Sequence, residues 1–432
     1  MNEQQGTREY QLPRGYRNYV FILLFLLYFF DYVDRMVVTS LFPFIKADWG
    51  LTDAQCGMLV SAIYWSIIIF TFPVSILVDR WSRKKTIGLM AVVWSLATAV
   101  CALTKSFGQL FSARSMIGIG EAGYAPGGTA MISGLYPQEK RSGIMGIWNA
   151  SIPLGSAVGI ALGGIIAKNL GWRHAFGLVA LPGLIVAILF FFIKDYKTVD
   201  LVKTADAEGA GGPKIKMKAA DIFREFIHTP SLLFTYFGFA GMLFVMVSIM
   251  TWLPTYFHRV QGIPEDQAGI KAGAVMLLAL AGAPAGGLLA DRWLRRRVNA
   301  RLLFAAISAT VSAAVLFTAF VLYGGSGQYA VILVFGLVFS SFVPAAAAVT
   351  QDVVHPGLRA ISYAICVIVQ NLLGSSTAPI VIGSISDAYD IQTALMILPA
   401  FLILSAGLFF AGSFFYEKDL NKVEKVTLEI EN

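Results

Sequence analysis

The sequence predicts an all-α membrane protein with twelve transmembrane helices in two six-helix bundles and both termini in the cytoplasm. Apolar residues make up 57% of the 432 residues and charged residues only 14%, against about 25% charged residues in soluble domains. Apolar runs of membrane length follow one another along the chain. The segment Asp79-Arg80-Trp81 recurs as Asp291-Arg292-Trp293, each time after a long apolar run and before further basic residues. A repeat about half a chain apart indicates two similar bundles in tandem, with a binding site between them.

Twelve apolar runs reach the length of about 20 residues that a helix needs to cross a bilayer. The basic clusters that close the second and eighth runs mark cytoplasmic ends, because Lys and Arg are held on that side during insertion. Alternation from a cytoplasmic N-terminus places most of the 33 Lys and Arg inside. In chain order, the predicted spans are 18–41, 54–78, 84–104, 107–135, 142–167, 174–194, 231–257, 267–290, 299–323, 328–350, 359–385 and 391–416.

One long polar connection lies between the sixth and seventh spans. It contains Gly209–Pro213 followed by alternating lysines, a composition typical of a flexible linker. We interpret residues 195–230 as a cytoplasmic linker that includes a short interfacial helix over Ala219–Ile227. The remaining units are a cytoplasmic N-terminal segment (1–17), an N-terminal bundle (18–194), a C-terminal bundle (231–416) and a cytoplasmic tail (417–432).

The net charge of +7 does not indicate nucleic-acid binding, because the basic residues collect at the predicted cytoplasmic ends. The three cysteines are scattered through apolar spans, and no two of the four histidines have the spacing of metal ligands. We therefore expect no cofactor, no metal and no nucleic acid. The expected partners are a small-molecule or amphipathic lipid-like substrate, protons and membrane lipids, and the expected state is a monomer.

Span one carries three charges that a membrane helix normally excludes: Asp31, Asp34 and Arg35. Each costs about 2.5–3.5 kcal/mol near the centre of a span, so they must face protein or water. Asp31 and Arg35 are four residues apart, which places them on one helix face where they can pair.

Span four carries Arg114 and Glu121, seven residues apart and so on one helix face. A buried carboxylate takes up or loses a proton as a cation leaves or approaches it, which is what coupling to a proton gradient requires. We predict a proton-coupling and gating network of Asp31, Asp34, Arg35, Arg114 and Glu121. The alternative is a buried ion-pair network that only locks spans one and four together.

Polar and aromatic side chains near mid-span are candidates for substrate contacts, although each could instead pack or hydrogen-bond between helices. These candidates are Tyr64, Tyr124, Asn149, Trp252, Tyr256, Lys271, Gln370 and Asn371. An anionic group could be held by Arg35, Arg114 or Lys271. The repeated loops predict a cytoplasmic latch made by Asp79, Arg80, Asp291 and Arg292. The alternative is that their charge only sets topology.

Two helices show the spacing of small residues that allows close backbone contact. Gly155, Gly159 and Gly163 form such a ladder in span five, and Gly282 and Gly286 form another in span eight. We expect these faces to pack against neighbouring helices.

Enzymatic motifs are not supported by their context. Gly118-x-Gly120-x-x-Gly123 matches a dinucleotide fingerprint, but that motif needs a preceding strand, and this one lies within a predicted membrane helix. The sequence has no nucleotide-binding Gly-x-x-x-x-Gly-Lys-Ser/Thr and no nucleophile-base pair. We expect neither an enzyme nor an ATP-driven pump.

The chain resembles the major facilitator superfamily over nearly its whole length outside the termini and the linker, and within it the bacterial Spinster-like transporters. Anion:cation symporters are the second choice, because they share a similar Tyr-x-Asp-Arg and a span-four Glu. The segments that carry the resemblance are both Asp-Arg-Trp loops, Tyr32–Arg35, Gly118–Tyr124, Ile152–Ser156 and Gln351–Ala360.

The resemblance implies a twelve-helix fold with alternating access, and it associates Asp34, Arg35, Arg114 and Glu121 with protonation and gating. Substrates of the Spinster-like group are often amphipathic lipids, including sphingosine phosphate and lysophospholipids. Asp31 departs from the Asn usual in the group and adds a second titratable residue. Trp81 replaces a common Gly.

Taken together, these features predict a proton-coupled secondary transporter in a bacterial inner membrane. Its expected substrate is a small organic anion or an amphipathic anionic molecule. A proton-independent uniporter and a membrane receptor that does not transport its ligand are the alternatives.

Overall fold

The computed structural model contains helices and no strand within the part of the chain that it describes. That part comprises residues 13–80, 82–136, 138–194, 226–322, 325–354 and 358–422. Ten of its helical segments are long and apolar enough to cross a membrane. Two more helical segments, Arg14–Met36 and the pair Phe107–Glu121 and Tyr124–Leu135, occupy the predicted first and fourth spans.

The N-terminal half contains nine helices among its described residues, and a short 3-10 helix over Val37–Ser40 joins the first two. Gly50 ends the second helix with a φ of 63°, and Gly171 turns the chain between the last two with a φ of 93°. The helices are α1 Arg14–Met36, α2 Phe42–Trp49, α3 Asp53–Arg80, α4 Arg83–Cys101, α5 Phe107–Glu121, α6 Tyr124–Leu135, α7 Gln138–Asn149, α8 Ser151–Leu170 and α9 Trp172–Phe190.

The C-terminal half contains a further nine helices in its described part, several of them joined end to end into one span. One such junction is a π-turn over Gln370–Ser375, and a second π-turn, Thr318–Leu322, extends another span. The helices are α10 Pro230–Arg259, α11 Glu265–Leu294, α12 Ala300–Phe317, α13 Ser326–Phe339, α14 Val343–Asp352, α15 Arg359–Val369, α16 Ala378–Ala388, α17 Ile391–Met396 and α18 Leu398–Lys422.

Side-chain bonds at the helix ends define two opposite faces of the molecule. The start of α1 meets the end of α9, where Tyr16 accepts a hydrogen bond from the Lys194 amide. The start of α10 meets the end of α18, where Asp419 accepts from Ser231 at 2.8 Å. We call this side the termini-bearing face. The opposite side, where α2 ends and α3 begins, is the distal face.

Helix α8 is the central packing element, because it contacts both α1 of its own half and α11 of the other half. A Cβ on Gly159 would lie 2.5 Å from the Val33 carbonyl oxygen in α1. A Cβ on Gly273 of α11 would lie 2.7 Å from the Ala157 carbonyl oxygen in α8. Both contacts therefore bring helix backbones together, as the small-residue ladder in span five predicts.

The second ladder has the same function within the C-terminal half. A Cβ on Gly282 would lie 1.9 Å from the Leu337 carbonyl oxygen, and one on Gly286 would lie 2.1 Å from that of Ser341. This close approach joins α11 to the span that contains α13 and α14.

Two sequence expectations need qualification. The predicted fourth span is not one continuous helix, because it breaks after Glu121 at Ala122 and Gly123. The predicted linker and most of the predicted helix Ala219–Ile227 lie outside the described residues.

Candidate functional site

The predicted charges of spans one and four meet in the centre of the N-terminal half. Arg35 Nη2 lies 2.7 Å from Glu121 Oε2 and 3.4 Å from Asp31 Oδ2. All three side chains are buried, and Arg35 is the most exposed of them at 7%. The Arg35 guanidinium also faces the rings of Tyr32 and Tyr64, at 4.5 and 5.5 Å, where cation–π attraction adds to the ion pairs.

The four-residue spacing of Asp31 and Arg35 thus leads to the ion pair that it predicts. Both carboxylates bind the same nitrogen of Arg35, so their nearest oxygens lie within about 6 Å of each other, the sum of the two distances. Two like charges this close in a buried site are unfavourable together, and the single guanidinium of Arg35 balances only one of them. The other oxygen of Glu121, Oε1, is buried and has no hydrogen-bond partner among the described residues.

Arg114 is fully buried but makes a different kind of contact. Its Nε donates to the Leu59 carbonyl at 2.6 Å, and its Nη2 donates to the Arg35 carbonyl at 3.0 Å. It forms no ion pair with Glu121, although the two residues share a helix. Arg114 therefore ties the backbones of α1, α3 and α5 together, and Arg35 is the cation that faces Glu121.

Asp34 forms no ion pair with Arg35 or Arg114. It is fully buried, and neither carboxylate oxygen has a hydrogen-bond partner in the described part of the chain. Its Oδ2 lies 3.9 Å from the position that a Cβ on Gly183 would take, and the Ser95 hydroxyl oxygen lies 3.0 Å from that position. Asp34 therefore lies beside α4 and α9.

The predicted substrate residues of the N-terminal half lie in different environments. Tyr64 is buried beside Arg35. Tyr124 donates its hydroxyl to the Leu24 carbonyl, and its ring lies 5.4 Å from that of Trp94. Asn149 is exposed at the end of α7. The structure therefore places Tyr64 at the charged site and Tyr124 in the aromatic core.

The predicted substrate residues of the C-terminal half do not form one hydrogen-bonded group. Trp252 is buried, donates to the Pro379 carbonyl at 3.1 Å and packs on Phe42 of the other half. Tyr256 accepts from Gln328 at 2.6 Å. The remaining three are half-buried: Lys271 lies 5.0 Å from the Tyr329 ring, Gln370 contacts the sulfur of Cys366, and Asn371 lies in the π-turn.

The predicted latch is described only in its second copy, because the side chains of Asp79 and Arg80 lie outside the described residues. Asp291 pairs with Arg301 at 3.6 Å. Arg301 also pairs with Asp352, which accepts a hydrogen bond from Tyr416. Arg292 is exposed. Asp291 therefore links helices of its own half in this structure.

A second charged cluster, which sequence reasoning missed, lies at the distal face. The Asp53 carboxylate is 2% exposed and accepts both Arg259 terminal nitrogens, at 2.6 and 2.7 Å. It also accepts from Ser386 at 2.6 Å and from Lys46. Asp53 lies in the first turn of a helix, a common position for an acidic residue, and nothing in the sequence connects it with Arg259, 206 positions away.

The same helix end receives a second carboxylate from the other half. Asp387 accepts from the backbone amides of Asp53 and Ala54, at 2.7 and 2.8 Å. Nearby, Lys168 of the N-terminal half pairs with Asp266 of the C-terminal half at 2.7 Å. Every hydrogen bond between the halves whose two partners are both described lies at the distal face.

Metal coordination is not supported by the part of the chain that the structure describes. No three His, Cys, Asp or Glu side chains come together there as a possible metal site. The carboxylates of the central site face an arginine instead.

A two-halved helical bundle with charged residues buried inside one half defines a membrane transport protein. Residues 24–379 match the model of the Major Facilitator Superfamily, and the chain belongs to this superfamily. It is an integral membrane transporter and not an enzyme.

Relatives include transporters of anionic molecules. The hexuronate transporter of Bacillus subtilis is 30% identical over 78% of this chain and 80% of its own length. Protein spinster homolog 1 of Xenopus tropicalis is 26% identical over 98% of this chain and 86% of its own length. The sphingosine-1-phosphate transporter SPNS2 of Mus musculus is 26% identical over 91% of this chain and 77% of its own length.

The fold also matches that of a solved relative. The crystal structure of a bacterial homolog to the human lysosomal transporter Spinster, in an inward-facing and unoccupied conformation, has a TM-score of 0.81. It is 21% identical, and the match covers 94% of this chain and 98% of that one. The resemblance to Spinster-like transporters is therefore confirmed.

Proposed function

We propose that this protein is a proton-coupled secondary transporter that moves an organic anion across a bacterial inner membrane by alternating access. Twelve spans are obtained when α1 and the α5–α6 pair are added to the ten long apolar segments. The basic Asp-Arg-Trp loops support a cytoplasmic position for the termini-bearing face.

The observation that carries the proposal is the sharing of one Arg35 nitrogen by two carboxylates. Arg35 balances one of the charges on Asp31 and Glu121, and the second charge is left in a buried site. Binding one proton would remove the excess charge. A proton bound to one of these carboxylates would also change the contacts of Arg35.

Competition for Arg35 couples the proton to the substrate. When Glu121 is ionised, it holds the Arg35 guanidinium through the 2.7 Å contact. When Glu121 is protonated, that attraction weakens and Arg35 becomes available to an anionic substrate. Proton and anion then bind together, which is the requirement for symport.

An anionic substrate also fits the relatives, since hexuronate and sphingosine-1-phosphate carry a carboxylate and a phosphate. Beside Arg35 lie the faces of Tyr32 and Tyr64, which can cover an apolar or sugar-ring part of the substrate. Both a small organic anion and a lysolipid-like amphipathic anion therefore match the site. Asp34, buried without a hydrogen-bond partner in the described residues, is the second candidate to carry a proton, because a charged carboxylate is costly there.

Proton flux in proteoliposomes tests the coupling. The protein is reconstituted with a pH-sensitive dye inside the vesicles, and D-glucuronate or a lysophosphatidic acid is added outside. We expect internal acidification that depends on the added anion. Glu121→Gln should abolish acidification and preserve exchange of labelled anion across the membrane, because the amide imitates the protonated carboxyl group. Asp34→Asn should reduce acidification.

Glu417→Gln is the matched control, because Glu417 is exposed in α18 and should behave as the unchanged protein does. Anion-dependent acidification that survives both Glu121→Gln and Asp34→Asn would remove the coupling assignment. Anion uptake of equal rate with and without a proton gradient would establish a uniporter. Binding without uptake would identify a receptor.

A further inference from the structure

We infer that Asp387 and Asp53 form a reciprocal lock that holds the distal face closed, and that breaking it shifts the protein toward a conformation open on that face. The inference rests on the proposed alternating access. It begins from the backbone amides at the start of α3. The first amides of a helix have no partner within the helix and need one from elsewhere.

The sequence around α3 supplies only part of what these amides need. Thr52 and Gln55 bond each other reciprocally, at 3.0 and 3.1 Å, which satisfies the amides of those two residues. The amides of Asp53 and Ala54 between them are satisfied by Asp387. The helix cap is thus completed by a carboxylate from the other half of the molecule.

A carboxylate of the N-terminal half also binds the C-terminal half. Asp53, on the N-terminal half, binds Arg259 and Ser386 of the C-terminal half. Lys46 is its remaining ion-pair partner and belongs to its own half. If the halves separate at this face, Asp53 keeps Lys46, but α3 loses the Asp387 cap and Arg259 loses its carboxylate. Each half therefore supplies a carboxylate that binds the other half: Asp387 binds the first amides of α3, and Asp53 binds the side chains of Arg259 and Ser386.

Backbone contact behind the two carboxylates makes the lock rigid. A Cβ on Gly57 would lie 2.2 Å from the Pro379 carbonyl oxygen, and one on Gly383 would lie 2.5 Å from that of Asp53. Helices α3 and α16 thus touch directly along one face of each. Opening the distal face requires this contact and the five inter-half hydrogen bonds of Asp53 and Asp387 to break together.

A native cysteine can report the opening. Cys56 is fully buried and lies three residues after Asp53 and one before Gly57, on the helix face that contacts the other half. The sequence contains only two other cysteines, Cys101 and Cys366. A variant with both replaced by Ser has Cys56 as its single thiol, and separation of α3 from α16 would expose that thiol to a maleimide.

The test compares two aspartates that cap helices in different ways. Asp387 caps α3 across the halves, whereas Asp390 caps α17 within its own half by accepting from the Thr393 amide at 2.7 Å. Each is replaced by Ala in the single-thiol protein in lipid nanodiscs, and the maleimide reaction rate of Cys56 is measured. We expect Asp387→Ala to raise the rate about tenfold or more, because it removes two charge-assisted hydrogen bonds and the loss of one alone corresponds to a factor of about ten. Asp390→Ala should change it less than twofold.

Two outcomes of this labelling experiment would contradict the lock. Equal rates in Asp387→Ala and in the unchanged single-thiol protein would overturn the lock, and so would a comparable increase in Asp390→Ala, which would indicate general loosening. Size-exclusion chromatography and melting temperature show whether each variant is folded, and Asp387→Asn provides a milder variant with an intermediate expected rate. Because labelling needs neither substrate nor protons, failure here leaves the proton-flux result unaffected, and the reverse is also true.

Discussion

At the residue scale, the two buried arginines of the N-terminal half differ in what they bind. Arg35 binds two carboxylates whose charge can change, and it is therefore suited to coupling. Arg114 binds two backbone carbonyls, which have no charge to lose. A guanidinium can reach both carbonyls because its donors form a rigid fork, which the single ammonium of lysine does not provide.

This difference between the two arginines predicts that Arg114→Lys lowers the stability of the fold and leaves the proton-to-anion ratio of transport unchanged. Losing one hydrogen bond from a charged donor costs about 1.5–3 kcal/mol, and we expect a lower melting temperature in detergent. The ratio of protons to anions in the vesicle assay should stay the same in the protein that remains folded. Arg295→Lys is the control, since Arg295 is exposed. A changed proton ratio at unchanged stability would show that Arg114 takes part in coupling.

Local spacing explains which residue contacts could be predicted from the sequence. Asp31 and Arg35 are four residues apart on one helix, so their pairing follows from helix geometry. Arg35 and Glu121 lie 86 residues apart, and only the tertiary fold brings them together. Asp53 and Arg259 come together only because the two halves pack against each other. Charge within apolar spans therefore predicted that these side chains face protein, but it did not predict which of them pair.

At the element scale, α8 joins the N-terminal half to the rest of the molecule. One face carries Gly155 and Gly159 against α1 and Gly163 against the 3-10 helix that follows it. The other face carries Ala157 and Ile160 against α11. The glycine spacing predicted close packing, because only small side chains let helix backbones touch. It did not identify the partners, and it did not show that α11, from the other half, would be one of them.

The close contact predicts that Gly159→Ala is destabilising. Its Cβ would lie 2.5 Å from a backbone oxygen of α1, so the helices must move apart. Overpacking of this kind costs about 1–3 kcal/mol, and the melting temperature should fall. Gly407→Ala in α18 is the control, because nothing lies within 4 Å of its added Cβ. Equal melting temperatures for the two variants would contradict the packing argument.

At the scale of the whole molecule, the two halves meet through α8 packed on α11 and through α3 packed on α16. The repeated Asp-Arg-Trp loops and the long polar connection predicted two bundles, since both mark a division near the middle of the chain. The conformation could not be predicted, because the same sequence must be compatible with every state of a transport cycle. The distal bonds of Asp53 and Asp387 are what identify the closed face here.

This organisation predicts that the halves assemble without a covalent connection. We propose to cut the coding sequence between Gly211 and Gly212, in the predicted linker, and to co-express residues 1–211 and 212–432 with an affinity tag on the first. The direct backbone contacts of α8 with α11 and of α3 with α16, together with the distal bonds, should make the untagged half co-purify. Combining Asp53→Ala with Asp387→Ala should reduce its yield, because those substitutions remove inter-half bonds, whereas Asp390→Ala should not. Recovery of the tagged half alone would show that the connection is required for assembly and not only for bringing the halves together.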